Sequence, residues 1–274
     1  MSASVTTWWE VPVVGWSDAG SSPQKRGRTT RHALLLEAAR AFDERGYDAA
    51  SLSDILAASG RTKGALYFHF HSKQQLATDL VKEIVESWDL ARGVIATRGL
   101  DPLRTLLVET DAYVSRWTHD VVVRGGSRAM SGAADFADNH RAWYDDWLRG
   151  TAAHLQAALE QGLLRPETDP DRVSRLVVAA SCGHRSFAET IPGPPTYFER
   201  MTDTWLGVLP IIAAESWLTD VLDSGWEHRP SPDPAAFARA REARAEPDCS
   251  TAECQTDGAT GPEAPVVSRG KDHR

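Results

Sequence analysis

Cations and hydrogen-bond donors crowd one stretch of this 274-residue chain. Between Gln24 and Gln75 stand Lys25, Arg26, Arg28, Arg31, Arg40, Arg45, Arg61, Lys63 and Lys73, with Tyr67 and His69 among them. Glu37, Asp43, Glu44, Asp48 and Asp54 offset them in part. The stretch therefore carries +4 in a chain whose formal total is −8, leaving −12 for the remainder. Net acidity argues against nucleic acid as a partner only on average, because a local basic module is hidden in the total. Such donors near helix starts suit phosphate oxygens.

Other chemistries lack their residue patterns. There is no Ser/His/Asp order at motif spacing, no H-E-x-x-H and no glycine-rich phosphate loop, so an enzyme is not expected. Asp145 and Asp146 are adjacent, point to different sides of a helix and read as a solvated face. Cys249 and Cys254 have no further Cys or close His to complete four zinc ligands, and no metal or cofactor is expected. Three cysteines in all, an odd count, suit a reducing cytosol. The apolar start from Trp8 to Trp16 is short and broken by Glu10 and Pro12, so it is not a secretory signal. The apolar run at 205–214 is far shorter than the roughly 20 residues of a membrane helix. The expectation is a cytoplasmic protein with no membrane partner.

The elements that must position the basic residues read as helices. Leu35, Ala38, Ala39 and Phe42 form one apolar stripe, with the helix beginning near Thr30 and closed by Gly46. Ser51 caps a short helix at 52–58 ended by Gly60, Thr62 caps a third from Lys63 to about Phe70, and Ser72 caps a long fourth. Two short helices around a tight glycine turn make a helix-turn-helix. Further helices are predicted at 101–118, 120–131, 139–163, 170–189, 196–209 and, after Pro210, 211–223. Gly125-Gly126 weaken the second of these and mark a bend. No convincing alternating run appears, so the fold class is all-α. The expected division is an N-terminal extension (1–23) with several tryptophans, a helix-turn-helix domain (24–75), a larger helical domain (76–226) and a disordered tail (227–274).

The segment SLSDILAASGRTKGALYFHFHSKQQL at 51–76 resembles the DNA-binding signature of TetR-family repressors through Leu52, Ile55, Ala58, Gly60, Lys63, Gly64, Leu66, Tyr67, His69, Phe70 and Lys73. The resemblance implies an all-helical homodimer that binds palindromic operator DNA through its N-terminal part. Its C-terminal part would hold a small molecule and the dimer interface. On the third helix, Leu66 and Phe70 would face the core, leaving Lys63, Gly64 and Tyr67 for the major groove. Gly64 would allow close backbone approach, and Tyr67, His69 and Lys73 would reach phosphates. Ser51, Ser53 and Thr62 are placed either to cap helices or to reach phosphate, and Lys25, Arg26, Arg28 and Arg31 form a basic arm before the first helix.

Looser likeness continues through DVVVRGGSRAM (120–130), NHRAWYDDW (139–147) and LLRPETDP (163–170), which look like the γ-butyrolactone receptor branch of that family. That branch implies a repressor released by a diffusible autoregulator and controlling antibiotic production or differentiation. By this resemblance Trp143 would correspond to its pocket tryptophan. Trp147 shares a helix face with Trp143, and Trp88 and Trp117 lie on neighbouring helices, so all four are candidate pocket walls. Many members carry Gln near Ile84 and Thr where this chain has Cys182, beside Ser181. Both are positions from which a lactone could be held. A butenolide, furan or antibiotic-like signal, or a pseudo-receptor or activator of the same fold, is the alternative. His184 is expected to be satisfied within the structure, and Phe187, Trp205, Leu206, Leu209 and Trp217 to serve the dimer bundle.

Overall fold

A computed structural model describes residues 23–132, 134–191 and 193–223. The aromatic N-terminal extension, the polar tail, Cys249 and Cys254 lie outside the described residues. Within them the chain forms α1 (Pro23–Ala49), α2 (Leu52–Ser59), α3 (Lys63–His69), α4 (Lys73–Ala96), α5 (Pro102–His119), α6 (Val121–Gly132), α7 (Ala137–Glu160), α8 (Pro170–Thr190), α9 (Tyr197–Ile212) and α10 (Glu215–Asp223). A single 3-10 turn, Ala134–Phe136, precedes α7. The one bridge among the described residues, Leu164 with Ala213, extends into no strand. The all-α expectation holds.

The caps lie where the hydroxyls predicted them. Ser51 Oγ accepts from the Asp54 N–H, Thr62 Oγ1 from Ala65 and Ser72 Oγ from Gln75. Each satisfies a backbone donor that the first helical turn leaves unpaired. Gly60 turns the chain between α2 and α3 at φ 61°, a left-handed conformation costly for any residue with a Cβ. Helix α1 begins at Pro23, not near Thr30, so Lys25, Arg26, Arg28 and Arg31 belong to its first turns rather than to an arm before it.

Pro210 does not end a helix: α9 continues to Ile212. The carbonyls at its C-terminal end find partners in the 163–170 stretch. Arg165 donates to Pro210 O (3.1 Å) and Ala213 O (3.2 Å), and Thr168 to Ile212 O (3.2 Å). These external donors replace the bonds the helix end cannot make itself.

Two main apolar clusters hold the chain. One gathers Leu34, Phe42, Ile55, Leu66, Phe70 and Leu80 from α1–α4, and α6 completes it with Ala129 and Met130. The other joins α5, α7, α8, α9 and α10 around Leu107, Val114, Leu155, Met201 and Trp205. Trp205, Leu209 and Trp217, expected at a dimer bundle, are buried inside this second cluster, whereas Phe187 and Leu206 face outwards. Burial of a large side chain in its own core is worth more than its exposure until a partner arrives.

Gly125 and Gly126 produce no break in α6. They let α6 lie directly against its neighbours: a Cβ on Gly125 would sit 2.1 Å from Ala39 O of α1, and one on Gly126 2.4 Å from the Ile84 Cδ1 of α4.

Candidate functional site

Helix α3 presents two faces. Leu66 and Phe70 are buried against α1 and α2, and that contact fixes the orientation of the remaining residues. Lys63, Gly64 and Tyr67 are exposed, with the Lys63 ammonium 5.9 Å from the centre of the Tyr67 ring. A Cβ on Gly64 would meet nothing within 4 Å, so nothing inside the chain demands glycine there. Phe68 is 80% exposed beside them and was not among the residues expected at this face. Its position carries the signal: it falls off the Leu66/Phe70 stripe and therefore has to face solvent.

His69, the last residue of α3, is half-buried. Burial, then the charge of Arg31, lowers its pKa and favours the neutral ring. Arg31 is itself paired with Asp79 of α4 at 2.8 Å. Ser53 is exposed on α2, while Ser51 and Thr62 are engaged as caps.

Lys73 lies differently from its expected placement at a phosphate. Its ammonium donates to Tyr47 O (2.8 Å), Asp48 O (3.2 Å) and Ala50 O (3.1 Å), and stands 4.4 Å from the Tyr47 ring. An ammonium has three N–H groups, and here all three pin the start of α4 to the end of α1. Lys73→Met is therefore expected to lower stability by about 1–3 kcal/mol, because three carbonyls lose a charged donor. A thermal melt measures this. If DNA binding is followed against salt, the slope should stay that of the wild type, whereas loss of a phosphate contact would reduce it by about 1.

A second constellation lies in the other half of the chain. Trp88 of α4, Tyr113 of α5, and Trp143, Asp146 and Trp147 of α7 line a small cavity of about 10 Å³, room for a single water. Trp88 meets Tyr113 edge-on at 5.9 Å, Tyr113 lies 4.4 Å from Trp147, and Tyr144 stacks on Trp147 at 6.5 Å. Behind them Trp117 meets Tyr197 edge-on at 5.7 Å, and the Tyr197 hydroxyl lies 2.7 Å from Ser181 Oγ. Cys182 and Arg185 of α8 close the group against Tyr113, Tyr144 and Tyr197.

The six residues singled out from the sequence thus meet in one aromatic network, but Tyr113, Tyr144, Tyr197 and Arg185, which hold it together, were not among them. Burial raises all three tyrosines, Tyr113 to about 12 and Tyr197 well above its ordinary value, so each is protonated at neutral pH. His184, expected to be satisfied within the structure, is so only in part: its Nε2 lies 2.8 Å from Thr204 Oγ1, while its buried Nδ1 has no hydrogen-bond partner among the described residues.

Helix α6 joins the two constellations. Arg124 Nε pairs with Asp43 of α1 at 2.8 Å, while its Nη1 donates to Thr118 O (2.8 Å) and Trp117 O (3.5 Å) at the end of α5. Arg128 adds a second contact to Asp43 at 3.3 Å. Trp143 packs against both apolar clusters. Trp143 and Arg124 thus link the aromatic residues to α1 and the helices seated on it.

Residues 34–80 match the profile of the bacterial regulatory proteins of the tetR family. The chain is 29% identical over 229 residues to the A-factor receptor protein of Streptomyces griseus, spanning 84% of this chain and 78% of that one. It is 30% identical to the TetR regulator TylP of Streptomyces fradiae, with a TM-score of 0.51, covering 78% of this chain and 98% of that one. A γ-butyrolactone receptor structure described as ArpA-like shares the fold at a TM-score of 0.63 and 24% identity, covering 80% of this chain and 99% of that one.

Proposed function

Because this chain belongs to the TetR family of bacterial transcriptional regulators and is related to the A-factor and γ-butyrolactone receptors, we propose that it is a homodimeric repressor in the cytoplasm that a small signalling molecule releases from a palindromic operator. The signal is of the γ-butyrolactone, butenolide or furan type, and the genes controlled serve antibiotic production or differentiation. The observation that carries this reading is α6, which packs on α1 through Gly125 and ties Asp43 to the aromatic site through Arg124.

On the DNA side, Lys63, Gly64 and Tyr67 enter the major groove, with Phe68 beside them for apolar contact to thymine methyl groups. Ser53 and His69 serve the flanking phosphates, and Lys25, Arg26 and Arg28 of α1 add positive charge for the backbone. Ser51 and Thr62 act first as caps, and Lys73 holds the helices rather than the DNA. For the dimer, α8 and α9 leave Leu176, Phe187, Phe198, Leu206 and Ile211 exposed, an apolar surface suited to a second copy. Two α3 helices would then lie about 34–36 Å apart, one DNA turn. A ligand releases the operator only by the extent to which it prefers the state with the wrong spacing.

On the ligand side, Trp88, Trp117, Trp143 and Trp147 supply the walls, and Ser181 and Cys182 polar contacts. The 10 Å³ cavity favours one second reading, a pseudo-receptor whose pocket is filled by its own side chains. A drug-sized ligand occupies about 300 Å³ or more, so in the first reading the indoles must swing outwards, and that movement is the signal.

A gel-shift with the protein's own promoter separates the readings: a titrated lactone or furan that releases the DNA supports the receptor, and release by none supports the pseudo-receptor. Gly64→Ala tests the DNA face in the same assay. Alanine should leave stability unchanged or raise it by up to about 1 kcal/mol, while operator affinity falls about ten-fold from one blocked close contact. Unaltered affinity would remove Gly64 from the interface.

A further inference from the structure

Asp146, expected on a solvated face, is the one charged residue lining the aromatic cavity among the described residues. It belongs to a group of four charges, two on α4 and two on α7. Two of their contacts stay within one helix: Arg92 Nη2 donates to Asp89 Oδ1 at 2.7 Å on α4, and Arg149 Nη2 lies 3.8 Å from Asp146 Oδ1 on α7. The third crosses between the helices, with Arg92 Nη1 donating to Asp146 Oδ2 at 3.2 Å.

The place of that crossing bond gives it meaning. Trp88 and Arg92 are four apart on α4, and Trp143, Asp146 and Trp147 share a face of α7, so the ion pair joins the two helices one turn beyond Trp88. A ligand of about 300 Å³ or more has no room in a cavity of about 10 Å³ while α4 and α7 hold these positions. Helix α4 is also the one that Lys73 pins to the end of α1. A bond between α7 and α4 therefore bears both on the cavity and on the helix that leads to the proposed DNA face.

Resting on the reading of this cavity as a ligand site, we propose that Arg92 and Asp146 form a latch. The pair holds α4 and α7 together over the closed cavity, parts when a ligand enters, and so sets how much signal release requires. Its side chains are 34% and 54% exposed, and a pair so open to water adds little to the stability of the whole chain. Ligand affinity feels it more directly, because the bond exists in the closed state alone and a contact made in one state shifts the balance by its full worth.

The test titrates N-phenyl-1-naphthylamine, a neutral apolar dye whose emission rises on leaving water, into the full chain as wild type, Arg92→Gln, Asp146→Asn and the double variant. Neither single change strands a buried charge, since Arg92 keeps Asp89 and Asp146 keeps Arg149. A thermal melt reports whether each variant folds. Each single variant is expected to bind the dye about three-fold more tightly than wild type, the scale of a partly exposed ion pair. The double variant should gain no more than either single one, because a latch is lost once with either half. In about 1 M NaCl, where charges are screened beyond about 3 Å, most of the gap between wild type and the double variant should close. Affinity unchanged or weakened in the single variants, or gains that add in the double variant, overturns the latch. Dye binding to none of the four proteins overturns it as well, since loss of either half should admit the dye. The reading of the cavity as the ligand site is judged separately, by release from the operator in Trp143→Ala, which alters neither charge.

Discussion

Gly125→Ala is expected to abolish tight operator binding although the residue lies on α6, outside the proposed DNA face. The new methyl would stand 2.1 Å from Ala39 O and 2.7 Å from Ala39 C and Cα, all backbone atoms of α1. No rotamer change relieves a clash with backbone, so α1 and α6 must part by roughly an ångström. Overpacking of this kind costs about 1–3 kcal/mol, against a gain of at most about 1 kcal/mol from placing alanine in a helix. The net loss should lower the melting temperature by several degrees, at about 2–4 °C per kcal/mol for a chain of this size.

The larger effect is geometric. Helix α1 carries Leu34, Phe42 and the core on which α2 and α3 sit, so tilting it would turn both recognition helices of the proposed dimer away from one DNA turn. Gly93→Ala is the matched control. It makes the same change on α4 where a Cβ meets nothing within 4 Å, and should be neutral or slightly stabilising. Wild-type operator affinity in Gly125→Ala would show that the α1–α6 contact is not the path between the two constellations.

Features set by a few neighbouring residues are legible in the sequence itself. Ser51, Thr62 and Ser72 are short hydroxyl residues at the starts of apolar stripes, and each is a cap because the first-turn N–H groups have no other partner. Leu66 and Phe70, four apart, mark the buried face of α3 for the same local reason. Features set by contacts across the chain are not legible in this way. Gly125-Gly126 looks like a weakened helix because spacing says nothing of what approaches it, and only the position of Ala39, 86 residues earlier, shows the close packing. Pro210 looks like a terminator because its missing N–H is visible in the sequence, whereas Arg165 and Thr168, the distant donors to the helix end, are not.

Lys73 and Arg185 illustrate the limit for charged residues. Both have long side chains whose heads end several ångströms from their own helix, so the backbone position fixes neither partner. Lys73 sits in a basic stretch, which suggests phosphate, but carbonyls at the end of α1 are within reach and take all three of its donors. Arg185 sits next to His184 on α8, with nothing in its spacing to name a partner, and it stands beside tyrosines from α5, α7 and α9. The tryptophans are easier, since Trp143 and Trp147 share a helix face and Trp88 lies across from it on α4.

Trp143→Ala should leave operator binding intact and raise the ligand concentration for release by about 30-fold or more, the loss of at least about 2 kcal/mol usual for a buried anchor tryptophan. The indole lines the cavity with Trp88, Tyr113 and Trp147 and also packs against the N-terminal cluster. It is only half-buried, so its removal should cost less than the about 3–5 kcal/mol of a fully buried aromatic. The α1–α6 contact does not pass through it, since Gly125 meets Ala39 and Arg124 meets Asp43 directly. Unliganded operator affinity should therefore stay within about threefold of wild type, under about 0.7 kcal/mol. The variant also loses the side chain whose displacement would carry the signal into the N-terminal cluster, so ligand that still binds should release the operator poorly. Normal release by Trp143→Ala would refute this placement of the pocket. Loss of operator binding together with release would instead make Trp143 part of the scaffold beneath α1, because a pure ligand contact has no reason to weaken the unliganded complex.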